Sequence, residues 1–126
     1  MSITLKDDAA SDVVYVALHT IGNSTTYIGP THSDIVNDKL IISSTPPKRS
    51  ATTYNNRRSK LNYVASVEVA TPDGGVEQKD MKMEINVSIP VGTSEASIAE
   101  ALARIADIAT QATLINDITV VGKTQL

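Results

Sequence analysis

The sequence predicts an α+β protein with an N-terminal β-hairpin, an antiparallel sheet of about five strands and two C-terminal α-helices. Three observations predict it. Lys82-Met83-Glu84-Ile85-Asn86-Val87-Ser88-Ile89 alternates polar and apolar residues without a break, and residues 60–69 follow nearly the same grammar. Strand side chains point alternately to two faces, so Met83, Ile85, Val87 and Ile89 share a dry face with Leu61, Tyr63, Ala65, Val67 and Val69, and the residues between them face water. Pro72-Asp73-Gly74-Gly75 lies between the two runs, inside a turn expected over 71–79. Beyond Pro90 the apolar spacing changes to that of a helix.

Length and composition set the frame. A chain of 126 residues fits one domain, expected over 1–126, with the hairpin at 1–30, the main strands at 39–90 and the helices at 94–121. The 41% hydrophobic content includes no Phe, no Trp and four Tyr, so the core is built from small aliphatic side chains that each bury little area. Such a chain gains more than most from sharing a core with a second copy. The absence of cysteine excludes disulfides, thiolate metal sites and a Cys nucleophile. No apolar run approaches the roughly 18 residues of a membrane span, and Met1-Ser2-Ile3-Thr4-Leu5-Lys6 lacks a signal-peptide pattern. A soluble protein is expected, with the cytosol as default compartment and no membrane partner.

Taken in order, Ile3 to Leu5 is a short apolar beginning, and Val13-Val14-Tyr15-Val16-Ala17-Leu18 is a β-branched strand that pairs as a hairpin. Gly22-Asn23-Ser24 turns the chain, and Thr25-Thr26-Tyr27-Ile28 returns before Gly29-Pro30 stops it. His32-Ser33-Asp34 is a surface loop. Neither His19 nor His32 has a second histidine at ligand spacing, so neither is expected to bind metal or catalyse. Lys39-Leu40-Ile41-Ile42-Ser43-Ser44-Thr45 is the next strand, ended by Pro46-Pro47. A long polar connection, 48–59, leads to the alternating pair.

The helix begins near Thr93-Ser94-Glu95, where a hydroxyl can cap free N–H groups and Glu95 complements the positive end of the dipole. Ser97, Glu100, Arg104, Asp107 and Gln111 form one narrow polar stripe, and nearly everything else is apolar. A helix lying on one sheet needs an apolar stripe of only about 100°. This one therefore predicts packing partners on at least two sides. Leu114-Ile115-Asn116-Asp117-Ile118 reads as a second short helix, and 122–126 as a tail.

Charge is distributed unevenly. Lys39, Lys48, Arg49, Arg57, Arg58 and Lys60 fall in an acid-free stretch from Lys39 to Val67, leaving the rest of a chain of net charge -3 at -9. Such asymmetry points to a polyanion partner. Lys48, Arg49, Arg57, Arg58 and Lys60 are the candidate phosphate contacts.

Asn56-Arg57-Arg58-Ser59-Lys60-Leu61-Asn62-Tyr63-Val64-Ala65-Ser66-Val67-Glu68-Val69, Met83-Glu84-Ile85-Asn86-Val87-Ser88-Ile89-Pro90 and Leu114-Ile115-Asn116-Asp117-Ile118, in this order and at these separations, resemble the coat proteins of the small single-stranded RNA bacteriophages. The resemblance implies an interlocked dimer with one continuous sheet, each helix pair lying across the other subunit. It implies an icosahedral shell of such dimers, a virion assembled in the bacterial host cytoplasm, with genomic RNA on the polar sheet face. On that face the family reads an RNA hairpin, which can repress translation, with residues matching Ser43, Thr45, Lys60, Asn62, Ser66, Lys82 and Glu84. Val64 and Glu68 depart from the basic or hydroxyl residues of relatives. No cofactor or metal is implied.

Two other readings stand beside this one. A small dimeric enzyme would need a catalytic constellation, and two separate histidines with scattered acids assemble none. A non-viral dimeric nucleic-acid-binding module would commonly stack bases on aromatic side chains, and the wet strand faces hold none.

Overall fold

A computed structural model of the chain describes residues 1–124. Two compact units follow each other, Met1–Val91 and Gly92–Leu126. The first is all strand: β1 (Ser2–Lys6), β2 (Asp12–Ile21), β3 (Ser24–Ile28), β4 (Asp38–Thr45), β5 (Arg57–Ala70) and β6 (Val76–Ile89). They form one antiparallel sheet in the spatial order β1-β2-β3-β4-β5-β6. The hairpin thus joins the main sheet, which has six strands where about five were expected. The reason lies in β2. It continues through Ile21, and a bulge at Leu18, between the pairs Ala17–Tyr27 and His19–Thr26, lets it keep pairing with β3.

The turns are built by their own side chains. Asp7 Oδ1 accepts from the N–H groups of Ala9 and Ser11 at 3.0 and 2.8 Å, closing the β1–β2 turn with Ala10 at φ 61°. The β5–β6 turn occupies only 71–75 and not 71–79. Thr71 N–H donates to Gly75 O at 2.9 Å, Gly74 takes φ 86°, and Asp73 accepts from the Thr71 hydroxyl and from Gly75 N–H. These two bonds, the Thr71 hydroxyl foremost, hold the Asp73 carboxyl below its usual range. Glu77, Gln78 and Lys79 therefore belong to β6. The connection before β5 is likewise 46–56, two to three residues earlier than expected at each end.

One face of the sheet holds the main core cluster, and Val64, expected to face water, is buried on the other face. Register aligns Leu40 with Tyr63, Tyr27 with Leu40 and Ile3 with Tyr15. Tyr15, Tyr27 and Leu40 are buried, with Ile3, Val13, Ala17, Ile42 and Tyr63 packed against them. A buried carboxylate, Asp38, sits in this layer, accepting from Tyr15 Oη at 2.9 Å and from Thr31 Oγ1 at 2.7 Å. Burial, then the bond to Asp38 and its charge, push the Tyr15 hydroxyl far above the usual tyrosine range. Gly29 makes room for this acid, since a Cβ there would lie 2.2 Å from Asp38 Oδ2. His32 Nδ1 accepts from Asp38 N–H at 3.3 Å, a structural role.

Toward β6 the same face opens. Leu61, Met83 and Ile85 are 37%, 53% and 47% exposed. β6 also forms one edge of the sheet with all 14 of its residues.

The second unit starts at α1 (Glu95–Thr110), with Ser94 Oγ accepting from Ser97 N–H at 3.2 Å as the N-cap. The polar stripe is internally paired, with Arg104 Nη2 3.1 Å from Glu100 Oε1 and Gln111 Nε2 donating to Asp107 Oδ2 at 2.7 Å. Leu102 and Ile105, on the apolar side, are 53% and 52% exposed. The second helix, α2 (Ala112–Asn116), begins two residues before its expected place and runs into a π-helical turn, Asp117–Val121. Gly122 at φ 77° ends that turn, and Lys123 N–H reaches Asp117 O at 2.8 Å. Residues 125 and 126 of the expected tail lie outside the described residues. No described helix is long and apolar enough to cross a membrane.

Candidate nucleic-acid interface

The polar face is assembled by the register of three strands. β4 with β5 aligns Thr45 with Arg58, Ser43 with Lys60 and Ile41 with Asn62. β5 with β6 aligns Arg58 with Ser88, Lys60 with Asn86, Asn62 with Glu84 and Val64 with Lys82. Two rows result, Thr45-Arg58-Ser88 and Ser43-Lys60-Asn86, and they line an open depression of about 340 Å³ with the backbone neighbours Ser59 and Val87. Three hydroxyls, one amide and two cations therefore converge on one spot. Cations match phosphate, while hydroxyl and amide groups can hydrogen-bond base edges or ribose.

Electrostatics tune the depression. Lys60 Nζ lies 3.0 Å from Glu84 Oε1, with both side chains more than 40% exposed, so solvent screens the pair and its contribution to stability is small. Arg58 has no acidic partner among the described residues. Beside the depression, Asn62 Oδ1 is buried without a hydrogen-bond donor. Such an acceptor is uncommon in a folded chain. At the rim, Asn56 Nδ2 donates to Ser88 Oγ at 3.0 Å, tying the connection 46–56 to the end of β6.

The expected site residues fall into three groups. Ser43, Thr45, Arg58 and Lys60 line the depression, with Asn62 and Glu84 in the adjacent row. Lys82 and Ser66 lie further along the same face. There the Ser66 hydroxyl accepts from Asn37 N–H at 2.8 Å and donates to Asp80 Oδ1 at 3.0 Å. Bonds from Asn37 and then Ser66, with Lys82 and Lys39 nearby, hold the Asp80 carboxyl below its usual range. Lys48 and Arg49 sit in the connection, and Arg57, opposite Ile89, belongs by alternation to the other face.

Asn86 and Ser88 join the site without having been expected there. Their place follows from register alone. A turn shortened to 71–75 sets Lys60 opposite Asn86 and Arg58 opposite Ser88, whereas a turn running to Lys79 leaves that pairing open.

The fold of six antiparallel strands followed by helices is shared with chains of solved structures. The solved virus-like particle of Wenzhou levi-like virus 4 matches this chain at a TM-score of 0.78 and 21% identity, over 97% of this chain and 86% of that one. That of Beihai levi-like virus 32 matches at 0.77 and 21%, over 90% and 88%. That of bacteriophage AVE019 matches at 0.73 and 14%, over 99% and 97%. The fold expected from the sequence is thus the fold present. No protein-family model matches the chain, and no curated protein matches it by sequence.

Proposed function

We propose that this chain is a capsid protein that dimerises, assembles into an icosahedral shell and packages single-stranded RNA on its polar sheet face. The observation that carries the reading is the fold, shared over 97% of the chain with the subunit of a levi-like virus-like particle. The virion is accordingly its place, reached by assembly in the bacterial host cytoplasm, and its role is structural.

Dimerisation is supported by surface left unpartnered in the single chain. Leu61, Met83 and Ile85 on the sheet and Leu102 and Ile105 on α1 are each 37% exposed or more. Leu61, Ile85 and Met83 are neighbours on one sheet face by register, and contiguous exposed apolar residues of this kind mark an interaction surface. The β6 edge adds a row of free N–H and C=O groups, a template for pairing with another strand. Two chains joined at β6 would share one continuous sheet, each helical unit lying across the other subunit.

RNA binding is supported by the depression. Arg58 and Lys60 supply charge, and Ser43, Thr45, Asn86 and Ser88 supply directional hydrogen bonds, a set that also suits an RNA hairpin bound as a translational repressor. Electron microscopy of purified protein and extraction of its nucleic acid test the proposal together. Closed shells containing RNA are expected. Protein that stays dimeric at high concentration, with and without added RNA, would overturn the shell, and RNA-free shells would overturn the packaging.

A further inference from the structure

The chain has four tyrosines and no other large aromatic residue. Tyr15 and Tyr27 are buried, and Tyr63 is packed against them. Tyr54 alone stands out, at 49% exposure, in the connection between β4 and β5.

That segment is ordered by its own bonds. Ser50 N–H donates to Thr53 O at 2.8 Å, Thr53 N–H to Ser50 Oγ at 3.2 Å and Asn55 N–H to Lys48 O at 2.9 Å. Arg49 and Tyr54 face each other across an isolated antiparallel bridge. Directly opposed residues of such a bridge project to the same side of the ribbon. The phenol of Tyr54 and the guanidinium of Arg49 thus project to the same side of the ribbon, and neither side chain has a hydrogen-bond or ion-pair partner among the described residues.

The surroundings say what would come to them. Lys48, Arg57 and Arg58 flank the ribbon in a stretch without an acid, and Asn56 ties it to Ser88 at the rim of the depression. An unpaired nucleotide offers the flat π-face of its base to the ring and its phosphate to the guanidinium, and rings used this way accept any base.

We infer that Tyr54 is a stacking platform for an unpaired base of the packaged RNA, with Arg49 holding the adjoining phosphate. The inference rests on the RNA reading above and adds a contact that the sheet face, which has no aromatic, does not provide. Tyr54 lies two residues before Asn56, whose amide is bonded to Ser88 at the rim of the depression.

The test titrates purified full-length protein against oligoadenylate, an abasic ribose-phosphate chain of equal length and duplex RNA. Tyr54→Ala is expected to weaken oligoadenylate binding about fivefold to a hundredfold, the range for one stacked base. Tyr54→Phe should retain it, and the abasic chain and the duplex should bind wild type and Tyr54→Ala alike. Arg49→Gln should weaken all three ligands. Equal binding of oligoadenylate by wild type and Tyr54→Ala overturns the inference and leaves RNA packaging standing. So does an equal loss on the abasic chain, or loss of shells at unchanged RNA affinity, which would assign Tyr54 to a contact between subunits. Wild-type protein that binds none of the ligands overturns the packaging reading itself.

Discussion

Lys60 Nζ lies 3.0 Å from Glu84 Oε1 on the diagonal of the β5–β6 ladder, so an acid partly neutralises the cation in the middle of the proposed RNA surface. Glu84→Gln should therefore tighten binding to any RNA and steepen the salt dependence by up to about 0.7 to 0.9 for each further phosphate that is neutralised. Stability should change by less than about 1 kcal/mol, because the pair is solvated. Titration at several salt concentrations checks this. An unchanged affinity and slope would mean that Lys60 does not touch phosphate.

Arg57 and Arg58 are adjacent in sequence but alternate between faces, and only Arg58 lines the depression. Arg58→Gln is expected to flatten the salt slope by about 0.7 to 0.9, whereas Arg57→Gln should change it by less. The reverse order would place the RNA on the opposite face.

Ile105 is 52% exposed in the single chain and lies on the apolar side of α1. If a second subunit covers it, Ile105→Asp should cost several kcal/mol by placing an unpaired charge in a buried contact, with loss of the dimer. Sedimentation and thermal melting are the measurements, with Glu100→Gln on the solvated stripe as control. A well-folded variant that dimerises like wild type would refute the shared core.

The raised Tyr15 hydroxyl gives stability a dependence on alkaline pH. Its folded value lies above its unfolded value near 10, so its contribution is complete below about pH 10 and is lost as pH rises through the folded value. Tyr15→Phe should flatten that alkaline loss. At neutral pH it should cost about 1 to 3 kcal/mol, because the buried Asp38 carboxylate loses a donor. Chemical denaturation between about pH 7 and pH 11 separates the two effects, and parallel curves for both proteins would show that Tyr15 titrates normally.

Gly29→Ala should be destabilising by about 1 to 3 kcal/mol, since its Cβ would meet the Asp38 carboxylate at 2.2 Å. A melting temperature equal to wild type would show that the loop holding Thr31 yields freely.

Where one face of a strand is dry and the other wet, the sequence is legible. Residues 60–69 and 82–89 declare their faces by alternation, and Ser94 with the polar stripe declares α1. Legibility fails where both faces are polar, as in Glu77-Gln78-Lys79-Asp80, because a period-two signal needs contrast; the first residues of β6 therefore read as loop. It fails again for Asp38 and Tyr15, which meet across 23 residues through register that no local pattern encodes. The same is true of Asn86 and Ser88. Their chemistry is visible, but their membership of the depression depends on which residue of β5 each one faces.

The sheet's spatial order repeats its chain order, and the longest link between paired strands is the connection 46–56. Each strand can thus pair with the one made just before it, at a small cost in loop closure. During synthesis β6, at one edge of the sheet, emerges from the ribosome after the other five described strands. Under the proposed pairing of two copies at β6, the nascent sheet would grow from the short β1 side and present the edge that joins a second copy only when the five strands before it are already in place.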